Sequence, residues 1–336
     1  PNQKIETIEE ENYFFKFSKY QKPLLEFYEK NSDFVVPDFR FNEIKAFTER
    51  GLEDFSISRL KEKMPWGVEV PGDDTHVMYV WFDALVNYIS AIGWPASAKA
   101  PAGTARTEGN FEKWWPVTQL AGKDQIRQQA AMWQAMLFSA GLPQSRQIII
   151  HGFITSGGQK MSKSLGNVVD PVKIVEEYGV DALRYYLARH THPFEDSDFT
   201  MEKFKEAYNA NLANGLGNAV SRIMKLAHTH LLQPVELLKP NSFPNEYTRG
   251  FQDFMPNKAM DFIWGKIGKL DERITRERPF EIVKKNLTAG QQMITEFVAE
   301  LYSIAYLLHP FMPKTYAIIK AIIKENKMPQ PLFERK

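Results

Sequence analysis

Ile148-Ile149-Ile150-His151-Gly152-Phe153-Ile154, then Ser156-Gly157-Gly158-Gln159-Lys160-Met161-Ser162-Lys163-Ser164-Leu165-Gly166-Asn167, is the stretch on which the reading of this chain turns. An apolar run ending in His-Gly reads as a buried strand, and two adjacent glycines read as a tight turn. Two lysines with hydroxyl-bearing neighbours follow. Such a glycine loop can close over a polyphosphate and neutralise the charge that develops there. The five residues 160–164 alone could equally be a solvated lysine loop after a hairpin. The strand before them and Leu165-Gly166-Asn167 behind them give the loop its meaning.

Outward from this stretch, apolar segments alternate with amphipathic ones. Residues 13–17 read as an aromatic strand, and 22–31 and 37–50 as helices, the second opened by Pro37 and stopped by Gly51. Residues 55–58 alternate like a strand, 68–70 form a short one, and 71–74 make a turn. Residues 77–82 read as a buried strand. Asp83 is then expected to cap a helix carrying Ala84, Leu85, Tyr88 and Ile89 on one face. Residues 95–110 are small and turn-rich, which predicts a surface loop. Residues 118–121 form a strand broken by Gly122, Asp124 caps a helix over 125–140, and 147–150 form the strand that enters the lysine loop. Pro171 starts a helix to Tyr178, and Asp181 caps another that ends near Arg189. The alternation predicts an α/β class, a doubly wound parallel sheet of Rossmann type with ligands at the strand C-termini.

Beyond a boundary near 195–203 no strand is expected. Helices over 204–232, 257–276, 279–308 (with an interruption) and 313–326 predict an all-α bundle. The expected parts are 1–20, 21–200 and 201–336.

Composition narrows the function without naming it. The 336 residues suffice for two domains, and 43% hydrophobic content with 7 Trp, 13 Tyr and 24 Phe argues against disorder. The chain has no cysteine, which removes disulfides and thiolate zinc sites. Its seven histidines are scattered, and the pairs His190/His192 and His228/His230 lack the i,i+4 spacing of a helical metal pair. No metal site, and in particular no zinc, is expected. No apolar run approaches the ~20 residues of a membrane span, and no signal peptide is visible. The expectation is no membrane partner and a cytoplasmic protein, an organellar matrix being the other reducing compartment. Residues 1–200 carry 22 Lys+Arg against 27 Asp+Glu, a balance of −5, while 201–336 carry 20 against 14, a balance of +6. The basic part could meet a polyanion, although its electrostatic footprint is modest.

Three strand ends could converge on one cleft. Around the first, Val80, Trp81, Ala84 and Tyr88 make an apolar, aromatic wall with one hydroxyl. A thioether would suit it, since sulfur packs well at aromatic edges, although plain core explains the same residues. At the second, Gly122 allows close backbone approach, and the Asp124 carboxylate can accept from a ribose diol or cap a helix. Gln129 and Trp133 lie one helical turn apart farther along. The third is the lysine loop, preceded by His151-Gly152.

The string from Ile148 to Asn167 resembles the signature loop of class I aminoacyl-tRNA synthetases, and nearly the whole chain resembles the methionyl family of that class. The resemblance is carried by Glu11-Asn12-Tyr13-Phe14-Phe15, Phe55-Ser56-Ile57-Ser58-Arg59, residues 79–85, Gly122-Lys123-Asp124, the loop 160–164, Arg278-Pro279-Phe280 and His309-Pro310-Phe311-Met312-Pro313. Several of these also occur in the leucyl, isoleucyl and valyl enzymes. Their combination, in a short chain without room for an editing domain, favours the methionyl family.

The resemblance implies activation of methionine by ATP and Mg²⁺ to methionyl-adenylate, then transfer to the 3′ end of tRNA(Met). It implies that Val80, Trp81, Ala84, Tyr88, Gln129 and Trp133 line the methionine pocket. Gly122 and Asp124 would hold the ribose, the backbone near Ile154 would meet adenine, and His151 and Gly152 would belong to the ATP site. Lys160 and Lys163, with Ser162, would stabilise the departing pyrophosphate. Asn214, Asn218 and Arg222, at i, i+4 and i+8 on one helix, match the anticodon-reading residues, joined by Phe280; apart from the family, the stripe is equally a solvated polar face.

Two residues depart from the pattern. Gln129 stands where the family usually has His, and Phe280 where it usually has Trp. An aromatic ring can still stack on a base, but the indole donor is lost. The family's other signature, His-Ile-Gly-His, is absent from these residues, with the first half of the nucleotide-binding fold. On this reading residues 1–20 are the tail of a connective insertion, 21–200 the second half of the catalytic domain and 201–336 the anticodon-binding domain. The missing N-terminal half becomes an expected partner, and the stretch alone is not expected to catalyse aminoacylation. The competing expectation is a non-enzymatic tRNA-binding or assembly module, which would have no use for the lysine loop.

Overall fold

The computed structural model describes residues 10–94, 111–240 and 242–336; the loop expected over 95–110 lies outside them. The chain forms two compact units, Pro1–His151 and Gly152–Lys336.

The first unit is built on a three-stranded parallel sheet in which Val35–Val36 and Thr118–Gly122 flank Gln147–His151. The isoleucine run 148–150 occupies the central strand and is fully buried. A continuous β-branched run is what a strand covered on both faces needs. Helices Gln21–Lys30 and Asp38–Glu49 pack Leu24, Tyr28 and Ile44 into the same core. After Gly122 the chain makes a 3₁₀ turn, Lys123–Gln125, a π turn, Gln128–Met132, and an α-helix, Trp133–Ser139. Within the π turn, the Ala130 carbonyl accepts from the Tyr28 hydroxyl at 2.7 Å. Burial pushes that phenol's pKa up.

Several expectations fail in this unit. Residues 77–82 are not one strand. Asp73–Met78 belongs to an antiparallel sheet with Ser58–Leu60 and Glu69–Val70. The ladder ends where the Tyr79 N–H reaches the Ile57 carbonyl at 2.8 Å. The N–H groups of Phe82 and Asp83 then find the Tyr79 carbonyl at 3.0 and 3.3 Å, closing the first turn of helix Val80–Leu85. Asp83 therefore lies inside that helix and does not cap it. Asp124 likewise lies within the 3₁₀ turn, with Gly122 at the cap position. The aromatic strand shrinks to Phe14–Phe15, paired with Phe55–Ser56, because Phe17 turns into the core and Phe17–Tyr20 winds into a 3₁₀ turn.

The second unit opens with a hairpin, Ile154–Ser156 and Gln159–Lys160, to which Ser197–Asp198 adds in parallel. Helix Pro171–Tyr178 starts where the Asp170 side chain accepts from the Val172 N–H at 2.9 Å. From Met201 onward the described residues hold helices and no strand. Met201–Ala207, a π segment Tyr208–Gly217 and Asn218–His230 run on continuously. Pro256–Glu277, Pro279–Lys285, Leu287–Leu308 and Pro313–Glu325 follow the expected course. Helix Asn245–Gln252 was not anticipated. The interruption falls at Asn286, whose side chain accepts from the Ala289 N–H at 3.1 Å and so caps the next helix.

The described residues are helical from Met201 onward, and the compact unit that holds them begins at Gly152. Ile174, Tyr178, Ala182 and Tyr185 share one core with Phe204, Ile263, Phe297 and Leu308. Asp181 is the tie. It does not cap its helix, Val180–His190, whose cap position is taken by Gly179 at φ +85°. Its buried carboxylate accepts from the backbone N–H and hydroxyl of Thr315 at 2.6 and 2.8 Å. No helix among the described residues is long and apolar enough to cross a membrane.

Asp181→Ala would leave a buried N–H without an acceptor, and the expected loss is about 1–3 kcal/mol of stability. Urea unfolding followed by circular dichroism checks this; a midpoint equal to the parent's would show the bond to be dispensable.

Candidate active site

The parallel ladder between Thr118–Gly122 and Gln147–His151 ends with Gly122 opposite His151. A Cβ built on Gly122 would lie 3.0 Å from Asp124 Oδ1 and 3.7 Å from His151 Cε1. Gly122, Asp124 and His151 therefore share one small space at the carboxyl edge of the sheet. Ligands of parallel sheets are held at that edge. The missing side chain leaves backbone within reach of a ligand, and Asp124 adds a carboxylate able to accept from paired hydroxyls.

The lysine hairpin of the second unit has a pinned base and an exposed tip. Gly157 and Gly158 have φ of +62° and +73°, so the turn is one that glycine adopts without strain. Asp198 Oδ1 accepts from the Gly158 N–H at 2.8 Å and from Thr155 Oγ1 at 3.1 Å. Lys203 Nζ lies 3.2 Å from Oδ2. The Gly158 amide, then Lys203 and Thr155, hold the Asp198 carboxyl below the usual carboxylate range. Beneath the hairpin, Gly152 is buried against backbone: a Cβ there would sit 2.2 Å from the Glu195 carbonyl oxygen. The Phe153 N–H reaches Asp196 Oδ1 at 3.0 Å, and the Ser197 N–H reaches the Phe153 carbonyl at 2.9 Å. Residues 195–198 thus form a strap along the hairpin. Ile154, in the first strand of the hairpin, is exposed.

Lys160 Nζ lies 4.2 Å from the centre of the Phe153 ring. Past it, the Ser162 N–H donates to Asn167 Oδ1 at 2.8 Å, and Asn167 Nδ2 returns to the Lys160 carbonyl at 3.3 Å. Ser162 Oγ and Ser164 Oγ are 2.7 Å apart. Lys160 and Lys163 are both exposed. Charge is held at the surface while the backbone that carries it is hydrogen-bonded into shape.

Tyr88, Gln129 and Trp133 come together in the first unit. Gln129 Nε2 donates to Tyr88 Oη at 2.9 Å, and the Tyr88 and Trp133 rings are 6.0 Å apart. Trp133 is 1% exposed, and its indole N–H has no acceptor among the described residues. It borders an apolar cavity of about 210 Å³ with Phe15, Phe82, Trp94 and Met136. Val80, Trp81 and Ala84 stand on the helix Val80–Leu85 rather than on a strand end, and Tyr88 follows Ala84 by four residues on the next helix, Asn87–Ser90. Val80 is 58% exposed.

In the helical region Asn214 and Asn218 are exposed. The i,i+4 spacing drawn for a regular α-helix here begins inside the wider π segment. Arg222 is engaged: it pairs with Asp271 and reaches Thr275 Oγ1 at 3.4 Å. Phe280 is exposed, with the Arg278 guanidinium 5.8 Å from its ring centre.

Sequence reasoning missed Asp198 as the anchor of the hairpin. It also missed Gln119, Gln134 and Ser145, which are buried around Gln129. The available signal was Gln119 itself, a polar residue inside an apolar strand.

The family of tRNA synthetases class I (M) matches residues 2–224. The chain is 37% identical to the methionine–tRNA ligase of Nostoc sp. over 327 residues, covering 93% of this chain and 60% of that protein. It is 38% identical to the methionine–tRNA ligase of Thermotoga maritima over 325 residues, covering 93% and 50%. It superposes on Mycobacterium tuberculosis methionyl-tRNA synthetase in complex with methionyl-adenylate with a TM-score of 0.83 at 31% identity, over 97% of this chain and 69% of that one. The chain spans 60% or less of the length of these two curated relatives.

Ionised, Asp198 accepts through both oxygens with the added strength of its charge; protonation removes that charge and turns one oxygen into a donor. Its folded pKa is depressed, so its contribution is present above an ordinary value near ~4 and is lost as pH falls through the lower folded value. Protection of the Gly158 amide, measured by hydrogen exchange and corrected for the intrinsic rate, is expected to persist at about pH 5 and to fall in more acid solution. Asp198→Ala should lower it at least about tenfold at neutral pH. Equal protection in parent and variant would show that the turn holds itself.

Proposed function

The chain belongs to the family of tRNA synthetases class I (M), and from that premise we propose that it supplies methionine-binding, nucleotide-binding and anticodon-reading parts of a methionine–tRNA ligase. The observation that carries the proposal is the pinned lysine hairpin, in a chain related over 93% of its length to such ligases. A pure tRNA-binding module has no need of paired lysines on a rigid glycine turn.

In the proposed reaction a carboxylate oxygen of methionine attacks the α-phosphorus of ATP. A new O–P bond forms, the bond to pyrophosphate breaks, and its electron pair leaves with pyrophosphate. The aminoacyl group then passes to a hydroxyl at the 3′ end of tRNA(Met), releasing AMP. Lys160 and Lys163, with Ser162, stabilise the charge that gathers on pyrophosphate as it departs. Gly122 and Asp124 hold the ribose, His151 and Gly152 contribute to the ATP site, and the backbone at Ile154 meets adenine. Val80, Trp81, Ala84, Tyr88, Gln129 and Trp133 receive the methionine side chain. Mg²⁺ enters with ATP, held by its phosphates; no group of three or more His, Asp or Glu among the described residues is placed to hold a metal ion.

Asn214, Asn218 and Arg222 read the anticodon, with Phe280 as a stacking ring. Arg222 would use the guanidinium N–H groups that Asp271 and Thr275 leave available, so the ion pair orients the fork for a base edge.

Methionine-dependent ATP–pyrophosphate exchange by the protein at its native length tests the proposal. Lys163→Ala should slow adenylate formation by about 10²–10³ while leaving methionine affinity unchanged. A rate within a factor of a few of the parent's would remove Lys163 from the mechanism.

For the anticodon assignment, a labelled stem-loop bearing CAU should bind better than one with a changed base. Arg222→Ala should weaken the CAU complex by about 1–3 kcal/mol at fixed salt and narrow the preference. Equal binding of both loops to folded protein would refute it.

A further inference from the structure

Gln119, Gln129, Gln134 and Ser145 are all buried in the first unit and joined by one hydrogen-bond chain. Any amide in such a chain could be turned round, but two backbone groups forbid it here. The Ser145 N–H can only donate, and it meets Gln134 Oε1 at 3.0 Å. The Gln129 carbonyl can only accept, and it meets Gln134 Nε2 at 2.8 Å. Gln134 is therefore oriented at both ends.

The rest of the chain inherits that orientation. Gln134 Nε2 also reaches Ser145 Oγ at 3.1 Å, so that oxygen accepts. The Ser145 hydroxyl proton then goes to Gln119 Oε1, its close neighbour. Gln119 turns its Nε2 to Gln129 Oε1 at 3.2 Å. Gln129, its oxygen now engaged, donates through Nε2 to Tyr88 Oη at 2.9 Å. The phenol oxygen accepts, so its own proton points elsewhere.

We propose that Gln119, Gln134 and Ser145 are positioning residues that set the polarity of the Tyr88 hydroxyl, keeping its proton available to the thioether sulfur of a bound methionine. The inference rests on the reading that Tyr88 lines the methionine site. A thioether accepts weakly and donates nothing. In the reverse sense Tyr88 would spend its proton on Gln129 and offer the sulfur only lone pairs. The relay thus distinguishes methionine from norleucine, its all-carbon isostere, which cannot accept. A wall of apolar and aromatic groups separates two such isosteres poorly, whereas a directed hydrogen bond separates them.

Gln119→Glu tests this, because a carboxylate accepts where the amide donated. Gln129 then turns its amide towards the new carboxylate, and its Oε1 draws in the Tyr88 proton. The readout is the ratio of kcat/KM for methionine over norleucine in ATP–pyrophosphate exchange by the protein at its native length. The ratio is expected to fall about five- to tenfold, chiefly through methionine. Tyr88→Phe should give the same fall, and Gln119→Glu should add nothing to it. An unchanged ratio in Gln119→Glu, or losses that simply add, overturns the proposal. Because a buried carboxylate can unfold its surroundings, Ser145→Ala serves as the uncharged variant; it removes one link and should lower the ratio about two- to threefold. A parent-like ratio in folded Ser145→Ala also overturns the relay. If the parent shows no methionine-dependent exchange, the functional reading falls instead. The relay is then judged by the Nε2 protons of Gln119, Gln129 and Gln134: slow solvent exchange in nuclear magnetic resonance supports it, and exchange as fast as in a free glutamine overturns it.

Discussion

The parallel ladder between Thr118–Gly122 and Gln147–His151 is the constraint from which the rest of the first unit follows. Its register places Gly122 opposite His151 and turns Gln119 inward. A slip of one residue would send Gln119 to the opposite face, bring Leu120 in, and part Gly122 from His151. The isoleucine run holds the central strand in place, because burying three β-branched side chains on two faces leaves no other register of comparable free energy. The sheet edge that could receive a ligand is therefore set by core packing some residues away from it.

This ladder also admits a polar interior. An unpaired amide in such surroundings costs about 1–3 kcal/mol, so three buried glutamines are tolerable only as a bonded set. Gln119, Gln129, Gln134 and Ser145 supply one another's partners, and the backbone of Ser145 and Gln129 closes the set. The Trp133 indole N–H is one of several buried polar groups of this unit that stay unmatched among the described residues. In the second unit the arrangement is reversed. The lysine hairpin keeps Lys160 and Lys163 exposed, while its backbone is held by the Asp198 carboxylate and the Asn167 amide. Exposed ammonium groups carry little desolvation penalty until a polyanion arrives.

Much of the architecture was legible from local pattern. The central strand, the glycine turn and the helices after Pro171, Pro256 and Pro313 lie close to their expected places, and the helical stretch 279–308 is interrupted, at Asn286. The errors have a common origin. Residues 77–82 are as apolar as a strand, yet hydrogen bonds to Ile57 and Tyr79 end the ladder at Met78 and wind the next turn into a helix. Asp83, Asp124 and Asp181 all look like caps, and each sits within its helix or 3₁₀ turn. Asp181 is spent on Thr315, 134 residues away. The strand pattern misled in another way: Gln119 is 3% exposed and Leu120 is 70% exposed, the reverse of their hydropathy.

The sequence by itself determined what depends on a residue's own chemistry and its neighbours within a turn. Gly157-Gly158 must bend, Ile148-Ile149-Ile150 must be buried, and Lys160 and Lys163 must carry charge beside it. Tertiary structure alone decided which distant groups complete those elements. Asp198 grips the Gly158 amide across 40 residues, Arg222 meets Asp271 across 49, and Tyr88 meets Gln129 across 41. A hydrogen bond needs a partner within about 3 Å in the right direction, and for residues so far apart in the chain that condition is met only when packing brings them together.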